Sequence, residues 1–172
     1  NQDWLYGKDL PIYQIGWKYF RADIWRFPLG LNPNFGIYAG GSVVFSDTIP
    51  IFAIFFKIFS SYIPQNFQYF SIWILLCIYL QLFFSFKIIY KLTDDLFYSL
   101  IASLFFCFAT IFLNRSAFHL SLTAQWLILF GFYIEISSSK YKSILRGFLI
   151  VLSCTIHFYF TIILSILNIL IH

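Results

Sequence analysis

Residues 67–90 read FQYFSIWILLCIYLQLFFSFKIIY, an apolar run interrupted by one charge, Lys87. A helix rises 1.5 Å per residue, so about 20 such residues cross a hydrocarbon core of about 30 Å. This run is long enough, and it is apolar on every face, as a helix surrounded by lipid must be. Three further apolar runs follow it, at Leu96–Leu113, Leu120–Ile136 and Ile144–Ile171. The expected fold is therefore all-α. A polytopic transmembrane bundle of four helices fills residues 67–172, preceded by a segment, residues 1–66, that does not cross.

Composition agrees with lipid as the main solvent. Hydrophobic residues make up 60% of the 172, aromatics 24%, and charged residues only 10%. Soluble domains carry about 25% charged residues. The net charge of +4 is dispersed, with no basic run, so no nucleic-acid partner is expected. Cys77, Cys107 and Cys154 each fall within an apolar run, where a thiol acts as a small hydrophobe. The chain holds no Met and closes inside an apolar stretch, which reads as part of a longer membrane protein.

The first third is different. Asp9 before Leu10-Pro11 has the form of a helix N-cap. Ile12, Ile15, Gly16, Tyr19 and Phe20 then recur at helical spacing, with Gln14, Lys18 and Arg21 off the stripe. Such a helix suits the headgroup layer. Turn residues over 27–34 end it. Ser46-Asp47-Thr48 is placed to cap a second apolar helix, Ile49–Ile63, which is short for a crossing and reads as re-entrant or juxtamembrane, with a short tilted span as the alternative.

Orientation follows from the short loops. Lys87, Lys91, Lys140, Lys142 and Arg146 gather at two turns, and the turn between those two holds only Arg115. The positive-inside rule puts the Lys-rich turns in the cytoplasm and residues 1–66 outside, in a cytoplasmic (inner) membrane. Asp9, Asp47, Arg26, Arg115 and His119 then share the outer face.

Several of these residue types carry chemistry. Asp9 and Asp47 are N-caps in the simplest reading. In the functional one, each is a carboxylate that takes a proton from a hydroxyl. Arg21, Arg26 and Arg115 offer paired donors for a phosphate, or anchor to headgroups. His119 opens an apolar helix at the outer boundary. His157 falls about midway along Ile144–Ile171, where an ionisable group faces a cavity or the bundle interior. Gln81 and Gln125 read as interhelical hydrogen-bond partners. Glu135 and Lys87 read as snorkelling side chains near helix ends. Thr93-Asp94-Asp95 reads as a cap. No metal or cofactor motif is present.

Five strings together carry a resemblance: Gly16–Arg21, Phe27–Gly30, Phe45–Pro50, Phe67–Phe70 and His119–Trp126. They resemble a bacterial multi-spanning family of unknown function that looks related to the C-type (GT-C) integral-membrane glycosyltransferases. The resemblance implies a sugar transfer from a polyprenyl-phosphate donor to an envelope acceptor at the outer face. It implies that Asp9 is the acidic residue of the first outer loop, and that Ile49–Ile63 is juxtamembrane. Many such enzymes carry an acidic pair there. This chain has Lys8 and Leu10 around Asp9, so no metal is expected. On this reading Asp9 and Asp47 are catalytic, and Arg26, Arg115, His119 and His157 bind substrate. The partners are the lipid bilayer and a lipid-linked sugar donor. Two alternatives use the same residues differently: a transporter or flippase of a lipid-linked sugar, and a non-catalytic membrane scaffold. The sequence displays no inverted repeat or pair of broken helices in favour of a transporter.

Overall fold

The computed structural model describes residues 10–36 and 40–171. Among the described residues it is mostly helical, joined by turns, with one two-residue antiparallel ladder. The elements are α1 (Leu10–Ala22), β1 (Leu31–Asn32), β2 (Gly41–Ser42), α2 (Pro50–Ile58), α3 (Phe70–Thr93), α4 (Leu96–Phe108), α5 (Thr110–Phe118), α6 (Trp126–Ile136), α7 (Lys142–Cys154) and α8 (Phe158–Ile171). A 3-10 turn, Leu120–Thr123, sits between α5 and α6.

The long run at 67–90 forms the spine, α3. Among the described residues it is the one single helix long and apolar enough to cross a membrane. Gln68 accepts from the Phe70 amide at its start, and Asp94 closes its end in the left-handed region. Asp95 then caps α4 by accepting from the Tyr98 amide at 2.8 Å, as the Thr93–Asp95 pattern implied. Cys107 approaches the Ile78 carbonyl, and Trp73 donates to the Leu120 carbonyl at 2.7 Å. Phe84 stacks on Phe130, so α3 is flanked by α4 on one side and α6 on another.

The other three apolar runs do not form straight rods. The second run continues past Leu113 to Phe118 and bends by 47° at Ala109, whose backbone is extended. The third begins as the 3-10 turn and leaves only eleven residues for α6. The fourth, Ile144–Ile171, folds back on itself. Ser153 and Thr155 turn their hydroxyls onto the carbonyls of Ile150 and Leu152, which competes with the helix ladder in the last turn of α7. Ser153 then bonds Thr161 across the gap at 3.0 Å, and Arg146 near one end lines the same small void as Ile171 at the other. α7 and α8 are thus the antiparallel arms of a hairpin, each shorter than a span. His157 lies at its tip rather than midway along a crossing helix. Among the described residues one broken helix is present, α4–α5.

The hairpin is fixed to α6 at two levels. Gly131 leaves room for Leu164 and Leu149, where a Cβ would lie 3.1 and 3.6 Å from their methyls. Nearer the base, Arg146 clasps Glu135 through two hydrogen bonds of 2.7 and 2.5 Å, and Lys142 donates to the Glu135 carbonyl. Glu135 is therefore paired between helices and does not snorkel to an interface.

Around the Phe70 end of α3, an aromatic cluster binds the first third to the bundle. Phe56 stacks on Tyr69, Phe52 meets Trp73 edge-on, and Trp17 donates to the Phe67 carbonyl at 3.0 Å. α1 buries Tyr13, Trp17 and Phe20 in this cluster. The stripe expected from the sequence divides: Gly16 and Phe20 face the protein, and Ile12, Ile15 and Tyr19 stay exposed. α2 is shorter than Ile49–Ile63, ending at Ile58, because residues 59–63 pass into turns.

Candidate functional site

Asp47 sits in a loop that three elements hold from different sides. The β1–β2 ladder sets its entry, with Leu31 opposite Ser42 and Asn32 opposite Gly41. Asn32 donates to the Gly16 carbonyl at 3.1 Å, which ties the ladder to α1. Ser46 and Thr48 are buried on either side of Asp47, and the Thr48 hydroxyl donates to the Val43 carbonyl at 3.0 Å. The Tyr69 hydroxyl donates to the Thr48 carbonyl from the start of α3. Gly16 makes this approach possible. A Cβ there would lie 2.7 Å from both Cβ and Oγ of Ser46, and 2.9 Å from Thr48 Cγ2.

The loop is held in a strained form. Asp47 (φ 50°) and Ile49 (φ 55°) both occupy the left-handed region. That is a genuine outlier for β-branched Ile, at a cost of about 1–3 kcal/mol per residue. Asp47 is also not the cap of α2. The N-cap is Ile49, with no side-chain cap bond, and Pro50 opens the helix. The Asp47 carboxylate, 38% exposed, is instead turned toward the hairpin tip.

There it meets His157, whose Nε2 is 3.3 Å from Asp47 Oδ1. Nδ1 of the same ring accepts from the Tyr159 amide at 3.2 Å, which also starts α8. Both ring nitrogens are therefore engaged, and the tautomer these bonds require carries its proton on Nε2. A second tie lies alongside: Ile51 N–H donates to the Thr155 carbonyl at 3.0 Å. Val44, Phe45, Cys154 and Tyr159 surround the pair to form a cavity of about 590 Å³.

Tyr159 is shared with a neighbouring groove of about 470 Å³ between α3, α5, α6 and α8. Its walls are apolar, as at Ile111, Ile128 and Ile163, but Arg115, Gln125 and Gln81 also line it. The structure thus brings together Asp47 and His157, and places Arg115 on the adjoining surface. Tyr159, which joins the two, was not singled out in the sequence because nothing local distinguishes it from eleven other tyrosines.

The remaining candidates lie elsewhere or have other duties. Arg26 is held by Asp23 at 2.8 and 3.2 Å, and its guanidinium keeps the Asp23 carboxyl below the usual carboxylate range. Arg21 donates to the carbonyls of Ser60, Ile63, Pro64 and Gln65, closing the turn after α2. It is therefore a clamp between α1 and that turn. Lys57 is buried between the rings of Phe20 and Trp25, at 4.0 and 4.9 Å, and donates to the Ile24 carbonyl. His119 is the C-cap of α5, its amide bonded to the Arg115 carbonyl, and it lines neither cavity. Asp9 lies outside the described residues. Among the described residues, no cluster of three His, Cys, Asp or Glu could hold a metal ion.

No curated protein and no solved structure matches this chain. One family model does, covering residues 1–171 from end to end of the fold just described. The chain belongs to that family, a domain of unknown function designated DUF6311.

Proposed function

We propose that this chain is a multi-pass protein of a bacterial cytoplasmic membrane, with residues 1–66 outside. It transfers a sugar from a polyprenyl-phosphate donor to an envelope acceptor. The observation that carries this reading is the strained loop that presents Asp47 to His157, beside a largely apolar groove containing Arg115. Polar chemistry and an apolar seat for a lipid tail are then contiguous.

The roles follow from the bonds available. His157 has no free ring nitrogen, so it positions Asp47 rather than touching the acceptor. Asp47 Oδ2 takes the proton of the acceptor hydroxyl as its oxygen attacks the anomeric carbon. The bond between that carbon and the phosphate oxygen breaks, and the phosphate leaves with the electron pair. Arg115 neutralises the charge that develops there. Arg26, engaged by Asp23, and His119 take no part in this scheme. Asp9 is the second acidic candidate of the outer segment.

The test is Asp47→Asn, which keeps the shape and removes the charge. At matched membrane abundance, transfer of labelled sugar into the envelope acceptor falls about 100-fold or more. Unchanged transfer refutes the mechanism. One observation favours a second reading, a transporter of the same lipid-linked sugar: α4–α5 is a broken helix. In that case Asp47→Asn stops movement of the lipid-linked sugar across the membrane, and no glycosidic bond is made by the wild type.

A further inference from the structure

The groove under Tyr159 holds three polar side chains that the protein itself leaves unsatisfied. Gln81 is 3% exposed, and its Oε1 has no hydrogen-bond partner. It is the twelfth residue of α3, about 16 Å along the helix axis from Phe70. A bare amide oxygen is costly in hydrocarbon, so such groups normally find a partner. Among the described residues, Arg115 forms no ion pair and no side-chain hydrogen bond, and neither does Gln125. An unpaired cation, an amide and an unmet acceptor thus line one wall of an otherwise apolar groove.

The geometry points to a binding site for an amphiphile that carries a phosphate and a hydroxyl beside an apolar chain. The phosphate sits on Arg115, which can grip two of its oxygens. The hydroxyl meets the Gln81 amide, whose buried Oε1 turns into the groove to accept from it. Ile111, Ile128 and Ile163 receive the first part of the chain. The groove spans about one turn each of α6 (Gln125–Leu129) and α8 (Tyr159–Ile163), so the rest of the chain continues into the bilayer. This inference rests on the membrane reading above and not on sugar transfer. Two sources share the chemistry, a hydroxylated phospholipid and an isoprenoid phosphate that carries a sugar.

The experiment is native mass spectrometry of the purified full chain, titrated with four probes. Phosphatidylglycerol has the phosphate and the hydroxyls, and phosphatidylethanol has the phosphate without them. An isoprenoid phosphate sugar and inorganic phosphate complete the set. The wild type retains phosphatidylglycerol roughly tenfold better than phosphatidylethanol, because an unmet buried acceptor discriminates by about that factor. Gln81→Leu removes the preference while still retaining both, and Arg115→Gln weakens both. Gln81→Leu replaces an unsatisfied amide by an apolar side chain, so it folds and the test does not depend on Arg115→Gln folding. Displacement of phosphatidylglycerol by the isoprenoid phosphate sugar identifies the groove as the donor's seat. Failure of that displacement, with the preference intact, assigns the groove to bulk lipid. Either result stands even if no sugar transfer is ever found. Equal retention of the two phospholipids by the wild type, or binding of inorganic phosphate as tight as that of the lipids, overturns the proposal.

Discussion

Gly16→Ala tests whether the Asp47 loop is seated on α1 as described. Helix propensity alone favours Ala over Gly by about 0.8–1 kcal/mol at this mid-helix position. Packing opposes it. The new methyl would lie 2.7 Å from two atoms of Ser46 and 2.9 Å from Thr48 Cγ2, so the loop must move away. Overpacking of this kind costs about 1–3 kcal/mol. Shifting the loop also weakens the Tyr69-to-Thr48 and Thr48-to-Val43 bonds, at about 0.5–1.5 kcal/mol each. Net destabilisation is therefore about 1–5 kcal/mol, against the sign of propensity. Ser46→Gly deletes two of the three clashing atoms. The double variant is then less destabilised than the sum of the singles by about 1 kcal/mol. Reversible unfolding in mixed micelles, followed by tryptophan fluorescence, measures all four proteins. A stabilised Gly16→Ala, or strict additivity with Ser46→Gly, refutes the packing argument and with it the seating of Asp47.

Other outcomes follow from the same structure. Glu135→Ala leaves Arg146 partly buried without its carboxylate, and destabilises by up to about 3 kcal/mol. Removing Arg146 as well costs little more, which a double-mutant cycle reads directly. Trp73→Phe keeps the ring and loses the bond to the Leu120 carbonyl, lowering stability by about 1–2 kcal/mol in the same unfolding assay. Burial holds the Lys57 ammonium below its ordinary 10.5, so between the two values the unfolded chain binds the extra proton. Stability therefore rises with pH through the window just below 10.5, and Lys57→Met flattens that slope in unfolding measured against pH. Single cysteines at Asn34 and Asn66 label from outside intact cells with an impermeant thiol reagent, and one at Ser138 does not. The reverse pattern sinks the proposed orientation.

Hydropathy made the helical class legible, along with the start of α1, the spine α3 and the Asp95 cap. The signals behind those features are local: one apolar run and one capping carboxylate. The bend at Ala109 was not legible, because neither Pro nor Gly marks it. The hairpin left a fainter trace. Ser153, Thr155 and His157 interrupt the fourth run, but single polar residues are tolerated in spanning helices. Only the backbone bonds these hydroxyls and this imidazole make turn them into a reversal. The site was half legible. Asp47, His157 and Arg115 stand out as ionisable groups in apolar surroundings. What could not be read was their pairing, which depends on Gly16 accepting the loop and on the hairpin bringing residue 157 to residue 47. Arg21 and Arg26 show the converse. A free guanidinium and one already bonded to carbonyls or a carboxylate are identical in sequence.

The reversal at Thr155–His157 changes the parity of the molecule. A straight helix over Ile144–Ile171 would carry the chain from one side of the membrane to the other. A hairpin returns it to the side it left and contributes no crossing. A reporter fused after Ile171 then answers to the same compartment as one inserted at Ser139. On the membrane reading proposed above, a count of spans taken from hydropathy alone is one too high over residues 144–171.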